Sequence, residues 1–349
     1  MIKGQEWFGQ RLEQPPPNTG FQDKGNEMRF AAGLIFASVV SLCVSGSAWS
    51  QTAAPKPATA TPAAAPQAAT ATAAPAPASA PAPLSKAACT NPDALGIARV
   101  VEIDTTGGPG FGFEHFKQLD FLRDHEVVLT FDDGPWVGNT PAVLKALADE
   151  CTTGIFFSIG KHATYYPEIL RQVQAAGHTI GSHTWSHATL TNKKLTDDQK
   201  KEEIEKGFSA VKWALEGASP APFFRFPVLQ HPPEMVTYLG TRNIAMFSCD
   251  LDSFDFKARN AQQVIDVTMK KLDKQGKGII LLHDFHKHTA EALPALLRKL
   301  KAGGYKVVRM IAKAPVQTLA QYDEEVLKET KLPTVSDRPV SSVVQTISE

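Results

Sequence analysis

Two histidines four residues apart, His183 and His187, and two adjacent carboxylates, Asp132 and Asp133, are the parts of this sequence best suited to holding a divalent metal ion. Two neutral imidazole nitrogens and one carboxylate make a three-ligand site with a position left open for water, the arrangement of a catalytic zinc or a related cation. On a helical turn, residues four apart face the same way, so the run from Ser182 to His187 is expected to present both rings together. A His-x-x-x-His pair alone is more often a solvated helix face. The Asp pair at the end of an apolar run gives it weight. Adjacent carboxylates also divide the work: if one binds the cation, the other can take a proton from water whose pKa the cation has lowered.

Hydrolysis of an amide further needs an acid for the departing nitrogen. His283 suits that task because imidazole titrates near working pH, and a nearby carboxylate such as Asp252 would raise its pKa and keep it protonated. Arg225 is permanently charged and can orient a carboxylate by a bidentate contact. Taken alone, Arg225 reads equally as a plain ion pair, and His283 as a hydrogen-bonded core histidine.

What must position these residues is a set of alternating elements. Apolar runs rich in Val, Ile and Phe predict strands over 98–103, 126–131, 154–159, 178–182, 222–225, 244–249, 278–282 and 305–310. Three-to-four spacing predicts helices over 140–150, 166–176, 196–215, 232–240, 260–274 and 289–302, with starts at Thr140-Pro141 and Thr196-Asp197-Asp198 and stops at Gly177 and Gly303-Gly304. Such alternation implies an α/β fold on a parallel sheet, either closed as a barrel or open and doubly wound. Five strands run straight into polar residues: Asp132-Asp133, His183, Arg225, the Asp250, Asp252 and Asp255 group, and His283-Asp284. In either architecture the carboxyl ends of the strands share one face, so these side chains should converge.

Thr130-Phe131-Asp132-Asp133-Gly134-Pro135, Ser182-His183-Thr184-Trp185-Ser186-His187, Arg225-Phe226-Pro227, Asp252-Ser253-Phe254-Asp255-Phe256 and Leu281-Leu282-His283, in that order, resemble the five motifs of the polysaccharide deacetylases, the NodB homology domain of carbohydrate esterase family four. The resemblance implies a distorted (β/α) barrel and a zinc or cobalt ion. It implies a hydrolase that removes N-acetyl groups from GlcNAc-type residues of an oligo- or polysaccharide such as peptidoglycan, a chitooligosaccharide or an exopolysaccharide. Carried over by position, Asp132 becomes the catalytic base, and Asp133, His183 and His187 the metal ligands. Arg225 would hold Asp132, His283 would be the general acid, and Asp252 would tune it. The backbone N–H of Val228 would face the oxyanion, and Leu281 would line the acetyl pocket. Three positions depart from the family pattern: Val228 replaces a tyrosine, Phe256 a tryptophan in the wall beside His283, and Ala188 a proline. The same groups would serve an ester deacetylase acting on a xylan-like polymer. A non-catalytic glycan-binding domain is the reading against which the intact Asp132, Arg225 and His283 count. His231, His286 and His288 are read as surface histidines near the same face.

The remaining sequence sets the context. With 43% apolar and 21% charged residues, the 349-residue chain is long enough for one large domain, and 36 basic against 36 acidic side chains give no positive field for nucleic acid. Met28-Arg29, the apolar run 30–44 and Ala48-Trp49-Ser50 make the three parts of a cleavable secretory signal, and the run falls short of the ~20 residues of a membrane span. Translation is expected to start at Met28, with 1–27 a non-native or disordered extension. Residues 51–88, mostly Ala, Pro and Thr, read as a disordered tether, 89–323 as the catalytic domain and 324–349 as a tail, with one short helix after Thr318 before the polar, Pro-containing end. The expectation is therefore a secreted or periplasmic protein with no stable membrane span after cleavage. Cys89, Cys151 and Cys249 allow one disulfide and leave one thiol over.

Overall fold

The strand that carries the Asp pair, Glu126–Asp132 (β3), is buried at all seven positions, and its sequence Glu-Val-Val-Leu-Thr-Phe-Asp lacks strict alternation because both of its faces are covered. The computed structural model describes residues 89–330; the expected start at Met28, the signal segment, the Ala/Pro-rich tether and the end of the tail lie outside them. Before β3 come Arg99–Ile103 (β1) and Gly110–Phe111 (β2), and after it Ile155–Ser158 (β4), Thr179–Ser182 (β5), Phe223–Arg225 (β6), Ala245–Phe247 (β7), Leu251–Asp252 (β8), Gly278–His283 (β9) and Lys306–Ala312 (β10). Every described pairing is parallel.

The order β8-β9-β3-β4-β5-β6-β7 begins and ends on strands that are neighbours in the chain, joined by Ser248, Cys249 and Asp250. That is a distorted barrel with one unbonded seam. The Asp250 carboxylate bridges it, accepting from the Phe113 and Ile279 amides at 2.6 Å each. β2 adds to the free edge of β7, and β10 with β1 extends from the start of β3.

Strand alternation sorts the side chains into layers. Val127, Leu129, Phe131, Ile280 and Leu282 face outward, under helices Asn139–Asp149 (α1), Ala261–Gln275 (α6) and Lys287–Ala302 (α7). Val128, Ile155, Phe157, Phe223, Phe247 and Ile279 fill the interior. The inward register continues upward from that layer through Thr130, Leu281 and Arg225 to Asp132 and His283, and Asp132 pairs directly opposite His283. The polar residues thus stand on an apolar floor at the carboxyl-terminal mouth.

Helices Pro167–Ala175 (α3), Asp197–Ala214 (α4) and Pro233–Thr241 (α5) lie within two residues of their expected limits. α4 opens on a capping box, with the Thr196 side chain accepting from the Gln199 amide and Gln199 accepting from the Thr196 amide. Three elements are absent from the sequence reading. β2 and β8 have two residues each, too few to show a period, and the helix Gly160–Tyr165 (α2) is only six residues long. The domain boundary at 323 is corrected: the helix Ala320–Thr330 (α8) runs through it and packs on α4, burying Val326 and pairing Lys212 with Asp323 and Lys206 with Glu329.

Cys89 and Cys151 form a disulfide across 62 residues of chain, and Cys249 is a buried free thiol. Closing a loop of that length removes about 4 kcal/mol of denatured-state entropy. Cys151→Ser is expected to lower unfolding stability by up to that amount, read from the denaturation midpoint with wild type as reference.

Candidate metal and catalytic site

Consecutive strand residues point to opposite faces, so an Asp pair can share one site only if the chain turns between them. Asp133 makes that turn with φ at +74°, bringing its carboxylate to the mouth beside that of Asp132. Its ligand atom and those of His183 and His187 lie within 4.8 Å of one another. His183 Nε2 is 3.6 Å and His187 Nε2 3.5 Å from Asp133 Oδ1.

His183 Nδ1 lies 2.7 Å from the Arg225 carbonyl, which only accepts, so Nδ1 carries the proton and Nε2 offers its lone pair to the cluster. Burial lowers the His183 pKa despite the nearby Asp132 and Asp133, keeping the ring neutral as a ligand must be. Asp133 Oδ1 is sealed from solvent with no hydrogen-bond donor. A carboxylate oxygen left this way is costly unless a cation takes the place of the missing donor. The three residues therefore fit a divalent metal ion.

The two histidines are not on a helical turn, which corrects the sequence reading. The segment after β5 is a loop with φ of +67° at Thr184 and +61° at His187. The helix α4 holds it: the Glu203 carboxylate accepts from the Ser186 amide and hydroxyl, and the Glu203 carbonyl accepts from the Trp185 amide. Gly207 lets α4 approach, since a Cβ there would stand 2.7 Å from the Thr184 carbonyl carbon. Asp133 has its own support: His162 Nδ1 donates to its carbonyl at 2.6 Å, and the fully buried Asp284 accepts from the Gly134 amide. Burial pushes the Asp284 pKa up to about 7. Asp284 follows the end of its strand as the sequence indicates, but its role of holding backbone has no sequence signature, and His162, in the short helix α2, has none either.

Arg225 is completely buried. Its Nη1 donates to Asp132 Oδ1 at 2.7 Å and to Thr130 Oγ1 at 2.8 Å, and its Nη2 to the Ser248 carbonyl. The other Asp132 oxygen lies 3.8 Å from His183 Nε2. Asp132 is thus held between the guanidinium and the metal cluster, oriented as a proton acceptor.

The carboxylate on His283 is Asp255, where Asp252 was expected. Asp255 Oδ1 accepts from His283 Nδ1 at 2.7 Å, and Oδ2 accepts from the His283 amide and the Thr289 hydroxyl. Asp252 instead accepts from the Phe254 amide, and burial raises its pKa. Phe254, at φ +51°, turns the chain so that the next side chain returns beneath the imidazole. Burial would lower the His283 pKa, but Asp255, then Asp132 and Asp133, lift it to about 10. His283 is therefore a charged donor at neutral pH. Asp250 lies away from the mouth, in the seam and beside a hollow of about 510 Å³ next to the start of β9.

Around these groups, Val228 sits in a short turn with φ +51° and is 60% exposed. The next two amides bond to Phe226 and Pro227, whereas the Val228 N–H has no acceptor among the described residues. Leu281 is buried on the same face of β9 as His283, and the exposed Phe256 ring stands edge-on to His283 at 5.7 Å. Of the three histidines read as surface residues, His286 lies 5.6 Å from His283 and His288 pairs with Glu291. His231 departs from that reading: its ring is clamped by His115, Phe116 and Phe226, and both of its nitrogens are buried.

The polysaccharide deacetylase family model matches residues 122–245. The chitooligosaccharide deacetylase of Azorhizobium caulinodans is 34% identical over 162 residues, 45% of this chain and 73% of that one. The peptidoglycan-N-acetylglucosamine deacetylase PgdA of Listeria monocytogenes is 33% identical over 189 residues, 52% of this chain and 37% of that one. Among solved structures, a peptidoglycan deacetylase of Bdellovibrio bacteriovorus superposes with a TM-score of 0.56 and 32% identity, covering 62% of this chain and 59% of that one. The chain belongs to the polysaccharide deacetylase family. It spans about 37% of the length of the Listeria relative.

The Asp255 contact yields a prediction. An acid works only below its pKa, so the alkaline limb of the pH–rate profile falls as pH rises through that of His283. A cation at the triad offsets what Asp132 and Asp133 contribute, so the limb of the loaded enzyme lies below 10. Asp255→Asn is expected to move the limb to lower pH and to cut the rate by roughly the 10²–10⁴-fold of a general acid. Asp252→Asn, which removes a charge that acts on His283 without a hydrogen bond to it, should move the limb less than Asp255→Asn does.

Proposed function

We propose that this protein is a metal-dependent hydrolase that removes the acetyl group from N-acetylated, GlcNAc-type residues of an oligo- or polysaccharide. The observation that carries the reading is the joint placement of Asp132 on Arg225, His283 on Asp255, and the orphaned Asp133 oxygen between two imidazoles. The names of the relatives, which include peptidoglycan, chitooligosaccharide and chitin deacetylases, support the same chemistry.

Asp133, His183 and His187 would hold the ion, which we take to be zinc, with cobalt as a substitute. When bound, a divalent cation there supplies Lewis acidity toward the acetyl carbonyl and toward water. Asp132, fixed by Arg225, accepts a proton from the water that adds to the amide carbon. The free Val228 N–H donates to the carbonyl oxygen as negative charge develops on it. His283 gives its Nε2 proton to the sugar nitrogen, the C–N bond breaks, and acetate and a free amine leave. Leu281 and Phe256 bound the space for the acetyl methyl.

Zinc-loaded protein is expected to release acetate from GlcNAc oligomers, measured by mass spectrometry of the products. Chelation should abolish the release and zinc or cobalt should restore it. Asp132→Asn should lower the rate by about 10² or more while metal content stays unchanged. Acetate loss from acetylated xylan alone would instead establish the ester reading.

We further propose that the enzyme acts outside the cytoplasm, in the periplasm or secreted. The charged-apolar-small pattern at 28–50 and the Cys89–Cys151 disulfide support this, since disulfides persist in oxidising compartments. The mature protein recovered from cells should begin at Gln51 by intact mass; a chain retaining residues 28–50 would overturn the cleavage.

A further inference from the structure

Beside the metal cluster lies a cleft of about 350 Å³, bounded by Asp133 and His187 on one side and by Ile159, Lys161, His162, Tyr165 and Phe285 on the other. No step of the proposed reaction uses this second wall. Its rings form a continuous surface: His162 lies parallel to Phe285 at 5.9 Å, Trp136 packs against both, and Tyr165 is 60% exposed. Exposed ring faces in a wet cleft suit the apolar face of a sugar.

Lys161 is the cation of that wall. Its backbone is fixed by the hydrogen bond from its amide to the Trp185 carbonyl, inside the loop that carries the two histidines. Its ammonium makes no ion pair and no hydrogen bond among the described residues and lies 6.0 Å from the centre of the Trp185 ring. The acids nearby are occupied, Glu203 by Ser186 and Asp133 by the cluster. An unpaired lysine in a cleft lined by two of the residues that would hold a dication selects for negative charge on the ligand.

We infer that this cleft binds the sugar adjoining the one deacetylated and that Lys161 recognises a carboxylate on it, so that the preferred substrate is an acidic N-acetylated glycan. This rests on the deacetylase reading above. The carboxylate can be carried as a lactyl ether or as a uronic acid, and the two sources present the same anion to Lys161.

The test compares kcat/KM of the zinc-loaded enzyme on three tetrasaccharides. One alternates GlcNAc with N-acetylmuramic acid, the second is the same molecule with its lactyl carboxyls converted to amides, and the third alternates GlcNAc with glucuronate. Wild type should favour an acidic oligomer over the neutral amide by roughly tenfold at low salt, and rising salt should erode the preference. Lys161→Met should bring the ratio close to one, and Lys161→Arg should keep it. Preference for the first or third oligomer identifies the source of the carboxylate. A ratio equal in wild type and Lys161→Met overturns the inference while leaving the deacetylase reading intact. Acetate release from none of the three, nor from neutral GlcNAc oligomers, overturns both.

Discussion

The buried contact between Arg225 and Asp132 is the constraint on which the rest of the site depends. Taking two charges out of water costs several kcal/mol per ion, and their attraction repays it only with good geometry and further hydrogen bonds. Here the guanidinium reaches β3 through Asp132 and Thr130, reaches the end of β7 through the Ser248 carbonyl, and lies 4.4 Å over the Phe157 ring. An apolar side chain of that volume would fill the barrel at lower cost. What it could not do is orient the Asp132 carboxylate with a charged side chain while its own carbonyl fixes the His183 tautomer. One residue thus sets both the proton acceptor and a metal ligand.

The same economy shows in the backbone. Asp133, Thr184, His187, Val228 and Phe254 all have positive φ, and each lies in the turn that follows a strand at the mouth. Left-handed non-glycine residues cost of order 1–3 kcal/mol and persist where their surroundings over-determine them. Those surroundings are visible: the His162 bond to the Asp133 carbonyl, Asp284 under Gly134, Glu203 on Ser186, and three rings around His231 behind Val228. Groups with no part in the chemistry are placed where they keep the turns in conformations the chain would otherwise leave.

This explains what was legible in the sequence. Asp132, Asp133, His183, Arg225 and His283 could be read because each ends an apolar run, and parallel strands deliver such ends to one face. The eight longer strands were readable for the same reason, since runs of Val, Ile and Phe survive single-residue errors at their limits. The partner of His283 was not readable. Asp250, Asp252 and Asp255 lie within six residues, and the choice among them depends on the two-residue strand β8 and the left-handed turn at Phe254, neither of which has a period. The helical interpretation of His183 and His187 failed similarly, because spacing of four is also met by a loop whose path is set by α4 and not by its own sequence.

That dependence on α4 separates the reaction from the substrate. Gly207 lowers helix propensity by about 1 kcal/mol relative to alanine, yet a Cβ there would also meet Ser182 Oγ at 2.7 Å, and one at Gly160 would meet the Trp185 ring at 2.8 Å. The histidine loop is thus pressed between two glycine-bearing elements, and close-packed interiors transmit such constraints with little give. The imidazole positions are therefore fixed by backbone packing, as a metal site demands. Lys161 and Tyr165 come from the same short helix, but their side chains stand at the cleft and nothing in the packing dictates their type. Changing them would leave the reacting groups where they are, so the fold can hold one chemistry constant while the cleft wall varies with the glycan it meets.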